Sequence, residues 1–232
     1  MPRTLDELLS ADSAWPLLLN LFARSPHDVR VAEASLDART ASLLAVQVTT
    51  RSVLGAMAWN CGVVAIDHGW VRLLGAGIGT IGGVHAERLN DVEQARTFEG
   101  VVVAHDVLGG RFAIHGGGLD EVPLGEVVYW APDTLTWTAT GLGHSALVEF
   151  LLSERLAEFY ADLRWSGWQS DSEAVALDHG LSAYPFAWTS EGRGANVSRK
   201  AVPMSELVEF SEHAAGRLRG RADKDPLTIE LT

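Results

Sequence analysis

Cysteine is almost missing from this sequence: Cys61 is the only one in 232 residues. A lone thiol closes no intramolecular disulfide and cannot anchor a cysteine-rich zinc site. That usage fits a reducing compartment. Positive charge is scarce too, with 18 Lys and Arg against 30 Asp and Glu, a net charge of -12. Such a surface repels phosphates and anionic headgroups, which argues against nucleic acid and membranes as partners. The same charge speeds encounter with basic proteins or peptides. No apolar run approaches the roughly 20 residues of a membrane-spanning helix. Pro2-Arg3-Thr4-Leu5-Asp6-Glu7 carries acids where an export signal carries its apolar stretch, so the expected location is the cytoplasm.

What is present suffices for a folded core. Apolar residues make up 47% and charged residues 21% of the chain, as in an ordinary globular domain. One domain is expected over residues 1–218, with a poorly ordered tail over 219–232. Thr4-Leu5-Asp6-Glu7 reads as a capping box opening a short helix. Pro16 starts a second helix with Leu17, Leu18, Leu21 and Phe22 on its apolar face, and a third spans about Asp37 to Gln47. From about Val53 to Thr138 the pattern turns to strands, with three hairpins inside Gly62–Leu74, Gly100–His115 and Gly125–Thr138.

A two-residue turn at His68-Gly69 places Val64, Ile66, Val71 and Leu73 on one face, with Asp67 and Arg72 on the other. In the second hairpin, Asp106 to Gly110 forms the loop. Val102, Ala104, Phe112 and Ile114 then share a face, and His105 lies opposite Arg111. In the third, Ala131-Pro132-Asp133-Thr134 makes a four-residue turn, with Val128, Trp130, Leu135 and Trp137 together. Each register gives one apolar face, as in an antiparallel sheet covered on one side. Helix returns after Gly143 with Ser145 as its cap, and Ser205 opens a last helix through Leu207, Phe210, Ala214 and Leu218. The expectation is α+β: a meander of six or seven antiparallel strands with helices packed on one face.

Gly77-Ile78-Gly79-Thr80-Ile81-Gly82 matches the dinucleotide fingerprint, with Asp106 where a ribose-binding acid would stand. That motif needs parallel strand-helix-strand units, whereas hairpins lie on both sides of it. A flexible loop is the simpler reading, and the leading interpretation needs no cofactor. Gly77, Gly79 and Gly82 remain an alternative ligand site within loop 75–83. Asp67, His68, His105, Asp106 and His115 lack the HxH or HxxxH spacing that fixes two metal ligands on one element, and are expected as solvated turn residues. His144-Ser145 lacks a nucleophile elbow. Glu149, Glu154 and Glu158 fall on the solvated face of a helix. Cys61 reads as a small buried hydrophobe. Of eight tryptophans, Trp130 and Trp137 look like core, while Trp165-Ser166-Gly167-Trp168 sets two indoles around a glycine, a pattern that binding surfaces use.

Asp106-Val107-Leu108-Gly109-Gly110-Arg111-Phe112-Ala113-Ile114-His115-Gly116-Gly117 resembles a bacterial family, the domain-of-unknown-function family twenty-six twenty-five. Val48-Thr49-Thr50-Arg51-Ser52, Asp67-His68-Gly69-Trp70, Tyr129-Trp130-Ala131-Pro132-Asp133-Thr134-Leu135 and Leu163-Arg164-Trp165-Ser166-Gly167-Trp168 add to the resemblance. It covers about Thr4 to Ala214 and implies no activity. Arg51, Asp67, Asp106 and Asp133 are polar members of these motifs. The aspartates are expected to hydrogen-bond their own turns. In layout the chain is also similar to the SUKH superfamily, which implies a toxin-neutralising immunity protein. The leading expectation is a non-enzymatic module that binds a protein partner through its acidic surface, with Arg51, Asp67, Asp106, Asp133, Trp165 and Trp168 as candidate contacts. A ligand-binding protein or enzyme using loop 75–83, and a homo-oligomer paired through sheet edges, are the alternatives.

Overall fold

The computed structural model describes residues 1–193 and 196–219. Most of the expected tail therefore lies outside the described residues. The chain opens with α1 (Leu5–Leu8), α2 (Trp15–Arg24), β1 (Val29–Ala32), α3 (Leu36–Val46) and α4 (Val53–Asn60). The capping box forms, with the Thr4 N–H donating to the Glu7 carboxylate at 2.7 Å. In α2, Leu18 and Phe22 are buried but Leu17 points to solvent, so the apolar stripe is narrower than expected.

The segment from Val53, expected as strand, is helix α4. Ser52 caps it by accepting from the Gly55 N–H at 3.0 Å. Gly55 to Ala58 are all buried. A helix enclosed on every side loses the 3.6-residue polar period that would betray it. Gly55 is required there, because a Cβ would lie 2.3 Å from the Thr49 carbonyl oxygen.

The strands follow as β2 (Val63–Ile66), β3 (Val71–Leu74), β4 (Gly77–Ile78), β5 (Ile81–Gly82), β6 (Ala86–Asp91), β7 (Arg96–Asp106), β8 (Arg111–Gly117), β9 (Glu126–Trp130) and β10 (Trp137–Gly143). Seven of them join β1 in one eight-stranded antiparallel sheet in the order β1-β2-β3-β7-β8-β9-β10, with β6 paired to the first half of the long β7. The first hairpin has the expected register, Ile66 opposite Val71 and Val64 opposite Leu73. In the second, a bulge between Val102 and Ala104 moves Val102 opposite Ala113 and Val101 opposite Ile114. In the third, Trp130 pairs with Trp137 rather than Leu135, a slip of two residues that keeps every side chain on its expected face.

Helix returns at α5 (His144–Leu151), capped at Gly143 rather than Ser145. The helix ends before α6 (Arg155–Phe159) begins, so Glu149, Glu154 and Glu158 do not share one helix, although all three are exposed. Next come α7 (Trp168–Glu173), β11 (His179–Tyr184), β12 (Ser198–Pro203) and α8 (Met204–Arg219).

Both sheet faces are covered, where one was expected. The face with Val64, Leu73, Ala104, Phe112 and Tyr129 packs into a core with Leu18, Leu43, Met57, Leu147, Leu151 and Tyr160. The opposite face lies under the β11–β12 hairpin and α8. The Leu181 N–H donates to the Val107 carbonyl at 2.6 Å, and Leu181, Met204 and Leu207 are buried. Sheet strands buried on both faces read as continuous apolar runs, and every residue of β2 and β3 is buried, Arg72 included.

Candidate functional site

The register of the second face aligns one row of side chains across the sheet. Arg30 pairs with Ala65, Ala65 with Arg72, Arg72 with His105, His105 with Arg111, Arg111 with Trp130 and Trp130 with Trp137. The middle of the row is therefore Arg72-His105-Arg111, two guanidinium groups on either side of an imidazole. Cross-strand neighbours of like charge repel, so the imidazole between them stays neutral.

Arg72 is fully buried. Its Nε donates to the Gly69 carbonyl at 3.1 Å and one Nη to the His179 carbonyl, which ties β3 to β11. The other Nη, Nη2, has no partner. Burial pulls its pKa down to about 10 against the attraction of Asp106 and Asp178, leaving it charged at neutral pH. Arg111 is 4% exposed. Its Nη2 lies 2.7 Å from a Glu212 carboxylate oxygen, and its guanidinium carbon sits 5.3 and 5.1 Å from the Trp130 and Trp137 ring centres. Cation–π contact compensates part of its lost hydration, but Nε remains without a hydrogen-bond acceptor. The Nδ1 of His105 is likewise buried and unpartnered. Desolvation, then Arg111 and Arg72, lower the His105 pKa to about 3.

His105 and Arg111 form part of the wall of a pocket of about 180 Å³. The β4–β5 turn supplies Thr80, Ile81 and Gly82, with Gly83 and His85 after it. The first turn of α8 supplies Met204 and Ser205, and Glu87 of β6 closes another side. The fingerprint glycines thus reach a pocket by a route unlike the nucleotide fold. No helix follows them: Ala86, where the nucleotide fold would have one, begins β6. Gly79 is left-handed at φ 53° and a Cβ there would lie 2.3 Å from the Asp178 carboxylate, while Gly77 has φ 80°. The Thr80 N–H already donates to Asp178 at 3.2 Å. A carboxylate therefore occupies the place a pyrophosphate would take. Gly82 alone of the three lines the pocket, and its missing Cβ faces open space.

The other candidate residues separate into groups. Asp67, Trp165 and Trp168 come together around the buried Trp70, 5.5 and 5.3 Å from the two indoles. Arg164 pairs with Asp67 at 2.5 Å and stacks 3.9 Å over Trp168, and Arg199 sits 3.7 Å over Trp165. The Asp67 side chain therefore serves Arg164 instead of its own turn. Asp106 faces the main core and is completely buried. It accepts from the Leu108 and Gly110 N–H groups at 2.9 and 2.8 Å, and from the Tyr129 and Tyr160 hydroxyls at 2.7 and 3.2 Å. Its turn-holding role is as expected, while burial denies it a surface contact. Arg51 pairs with Asp12 at 2.7 Å in solvent. Asp133 lies in the β9–β10 loop, beside a second pocket with Val92 and Trp188.

His105, Asp106 and His115 are not solvated turn residues. His115 is buried, accepting from the Leu119 N–H at 3.1 Å. Among the described residues no three His, Cys, Asp or Glu side chains converge on a metal position, and no helix is long and apolar enough to cross a membrane. Glu87, Ser205 and Glu212 join the site without having been candidates. The available signal was the facing of His105 and Arg111, which the hairpin register already contained.

Fold and pocket together define an α+β protein whose antiparallel sheet carries a cationic row beneath a small cavity. The family model described as "Protein of unknown function DUF2625" matches residues 5–207, and the chain belongs to that family. It is similar to the putative uncharacterized protein YbfG of Escherichia coli (strain K12), 32% identical over 215 residues that cover 90% of this chain and 95% of the relative. An uncharacterized protein of Haemophilus influenzae is 28% identical over 177 residues, covering 73% and 75%. No solved structure matches the chain significantly.

Proposed function

We propose that this protein binds a small molecule in the pocket between the β4–β5 turn, the His105–Arg111 pair and the first turn of α8. The observation that carries the reading is the pair of unpartnered nitrogens, His105 Nδ1 and Arg111 Nε, on residues that line one cavity. A buried polar group left unpaired costs about 1–3 kcal/mol, and native folds keep few of them. A bound acceptor removes that cost. The volume of about 180 Å³ is far above the roughly 10–15 Å³ one water needs. It is also below the roughly 300–1,000 Å³ of drug-sized sites, so the ligand is small.

Native mass spectrometry of protein purified gently from its own host tests the reading. An excess of up to a few hundred daltons, absent from the Gly82→Asp variant, supports it. The bare chain mass with no pocket ligand in extract titrations sinks it. A protein-binding module, toxin-immunity-like in the manner of the SUKH superfamily, is the second reading. It rests on the net charge of -12 and the exposed Leu17, Leu19 and Leu36. The same experiment would then give an excess of protein size.

A further inference from the structure

We infer that the ligand presents an oxyanion, a carboxylate or a phosphate, to Arg111 and His105, and a hydrogen-bond donor to Glu87. The inference rests on the pocket reading above and adds the chemistry of what fills it.

Arg111 has donors only. Glu212 engages one edge of its guanidinium and leaves Nε without an acceptor. A planar guanidinium fork matches carboxylate and phosphate oxygens. His105 belongs to the same row and lines the same cavity wall, its buried Nδ1 without a partner. The arginines that hold His105 neutral create a local potential that favours a negative guest. Above the row stands the first turn of α8, a helix of sixteen residues. The early N–H groups of a helix lack intrahelical acceptors and carry the positive end of its dipole. Met204 N–H is satisfied by the Asp178 carbonyl at 3.0 Å, and the Ser205 side of the turn lines the cavity. These donors converge from three elements, β7, β8 and α8.

Glu87 sets the other end. A carboxylate only accepts, so it repels a second negative group and receives a hydroxyl or ammonium. The complementary guest is small, with one oxyanion and one donor.

The test is a proton–nitrogen NMR titration of the full chain with three probes: inorganic phosphate, lactate, and lactamide, the neutral amide of lactate. Phosphate and lactate should saturably shift the Gly82, Gly83 and Ser205 amides and the His105 imidazole. Lactamide should bind at least tenfold more weakly. Gly82→Asp places a carboxylate at the pocket where a Cβ meets no atom within 4 Å, and should weaken both anions at least tenfold. Arg24→Gln removes a remote surface charge and should change them less than twofold. Lactamide binding as tightly as lactate would overturn the oxyanion while leaving the pocket standing. Silent probes beside a Gly82-dependent native-mass adduct would do the same. Silent probes and no adduct would overturn both. Equal shifts in wild type and Gly82→Asp would mark nonspecific salt effects and overturn the oxyanion site.

Discussion

Two half-buried histidines, each with one ring nitrogen sealed from solvent and without a partner, should make this protein lose stability in mild acid. Burial and the flanking Arg111 and Arg72 hold His105 at a pKa of about 3, and burial alone holds His144 at about 4. In an unfolded chain both titrate near 6.5. Below that pH the unfolded state binds two protons that the folded state refuses. Their contribution is therefore fully present above pH 6.5 and is lost as the pH falls toward 3–4. At 1.36 kcal/mol per pH unit, each histidine forfeits about 2 kcal/mol by pH 5, and the pair about 4 kcal/mol. That is a large share of the roughly 5–15 kcal/mol that ordinary domains have. Asp106 works with the opposite sign: burial raises its pKa, so its stabilisation is present below about 3.8 and is lost as the pH rises. Comparing variants removes that background. Urea unfolding at pH 7.5 and pH 5.0 would be measured for wild type, His105→Asn, His144→Asn and the double variant. Wild type should lose about 4 kcal/mol more between the two pH values than the double variant, and each single variant about half of that difference. Identical pH losses in wild type and double variant would show that both imidazoles titrate normally in the fold, and would refute the buried-neutral assignment.

Asp106→Asn turns one carboxylate oxygen, which accepts two of the four contacts, into a donor, and should cost about 1–3 kcal/mol in urea unfolding. Asp106→Ala, which strands two N–H groups and two hydroxyls, should cost more, while losses under about 0.5 kcal/mol would mean that those groups find other partners. Gly79→Ala forces a side chain into the left-handed region and against Asp178, so it should lower stability by more than about 1 kcal/mol. Gly82→Ala, with ordinary backbone and open space, should stay within about 0.5 kcal/mol, and equal effects would contradict this geometry. Burial pushes the Cys61 thiol up to about 12, so a thiol reagent should modify it only at the unfolding rate; rapid labelling of folded protein at pH 8 would place the thiol in reach of solvent.

Much of the sheet was legible because short turns leave few registers. The turn at His68-Gly69 allows one pairing of Val63–Ile66 with Val71–Leu74, and that pairing forms. The β9–β10 loop has more freedom. Leu135 folds into it with φ 58° and is buried, which shifts the pairing by two residues and preserves the faces. Local pattern failed where burial is complete. The segment Val53–Asn60 offers no polar side to reveal its helical period, so its valine, leucine and glycine resembled a strand. The second covering layer was hidden for a related reason: Arg72 reads as a solvent-facing residue until β11 supplies the His179 carbonyl to it from 107 residues away.

The pocket shows what separates a motif from a site. Its glycine turn and its His105–Arg111 pair were both visible in the chain, yet they were read apart. The glycines suggested a phosphate loop, and the arginine stood only as the cross-strand neighbour of His105. The third wall, α8, lies about a hundred residues further on, and nothing local in Met204-Ser205 announces that it will face β7. Its placement follows from packing: Leu207 and Met204 are buried with Leu181 and Val107 over the sheet, and Glu212 then falls on Arg111. The hydrophobic positions of the last helix thus decide which charges meet. Repulsion of a metal cation by Arg111 and attraction of an oxyanion are one electrostatic fact, and only the assembled pocket makes the second useful.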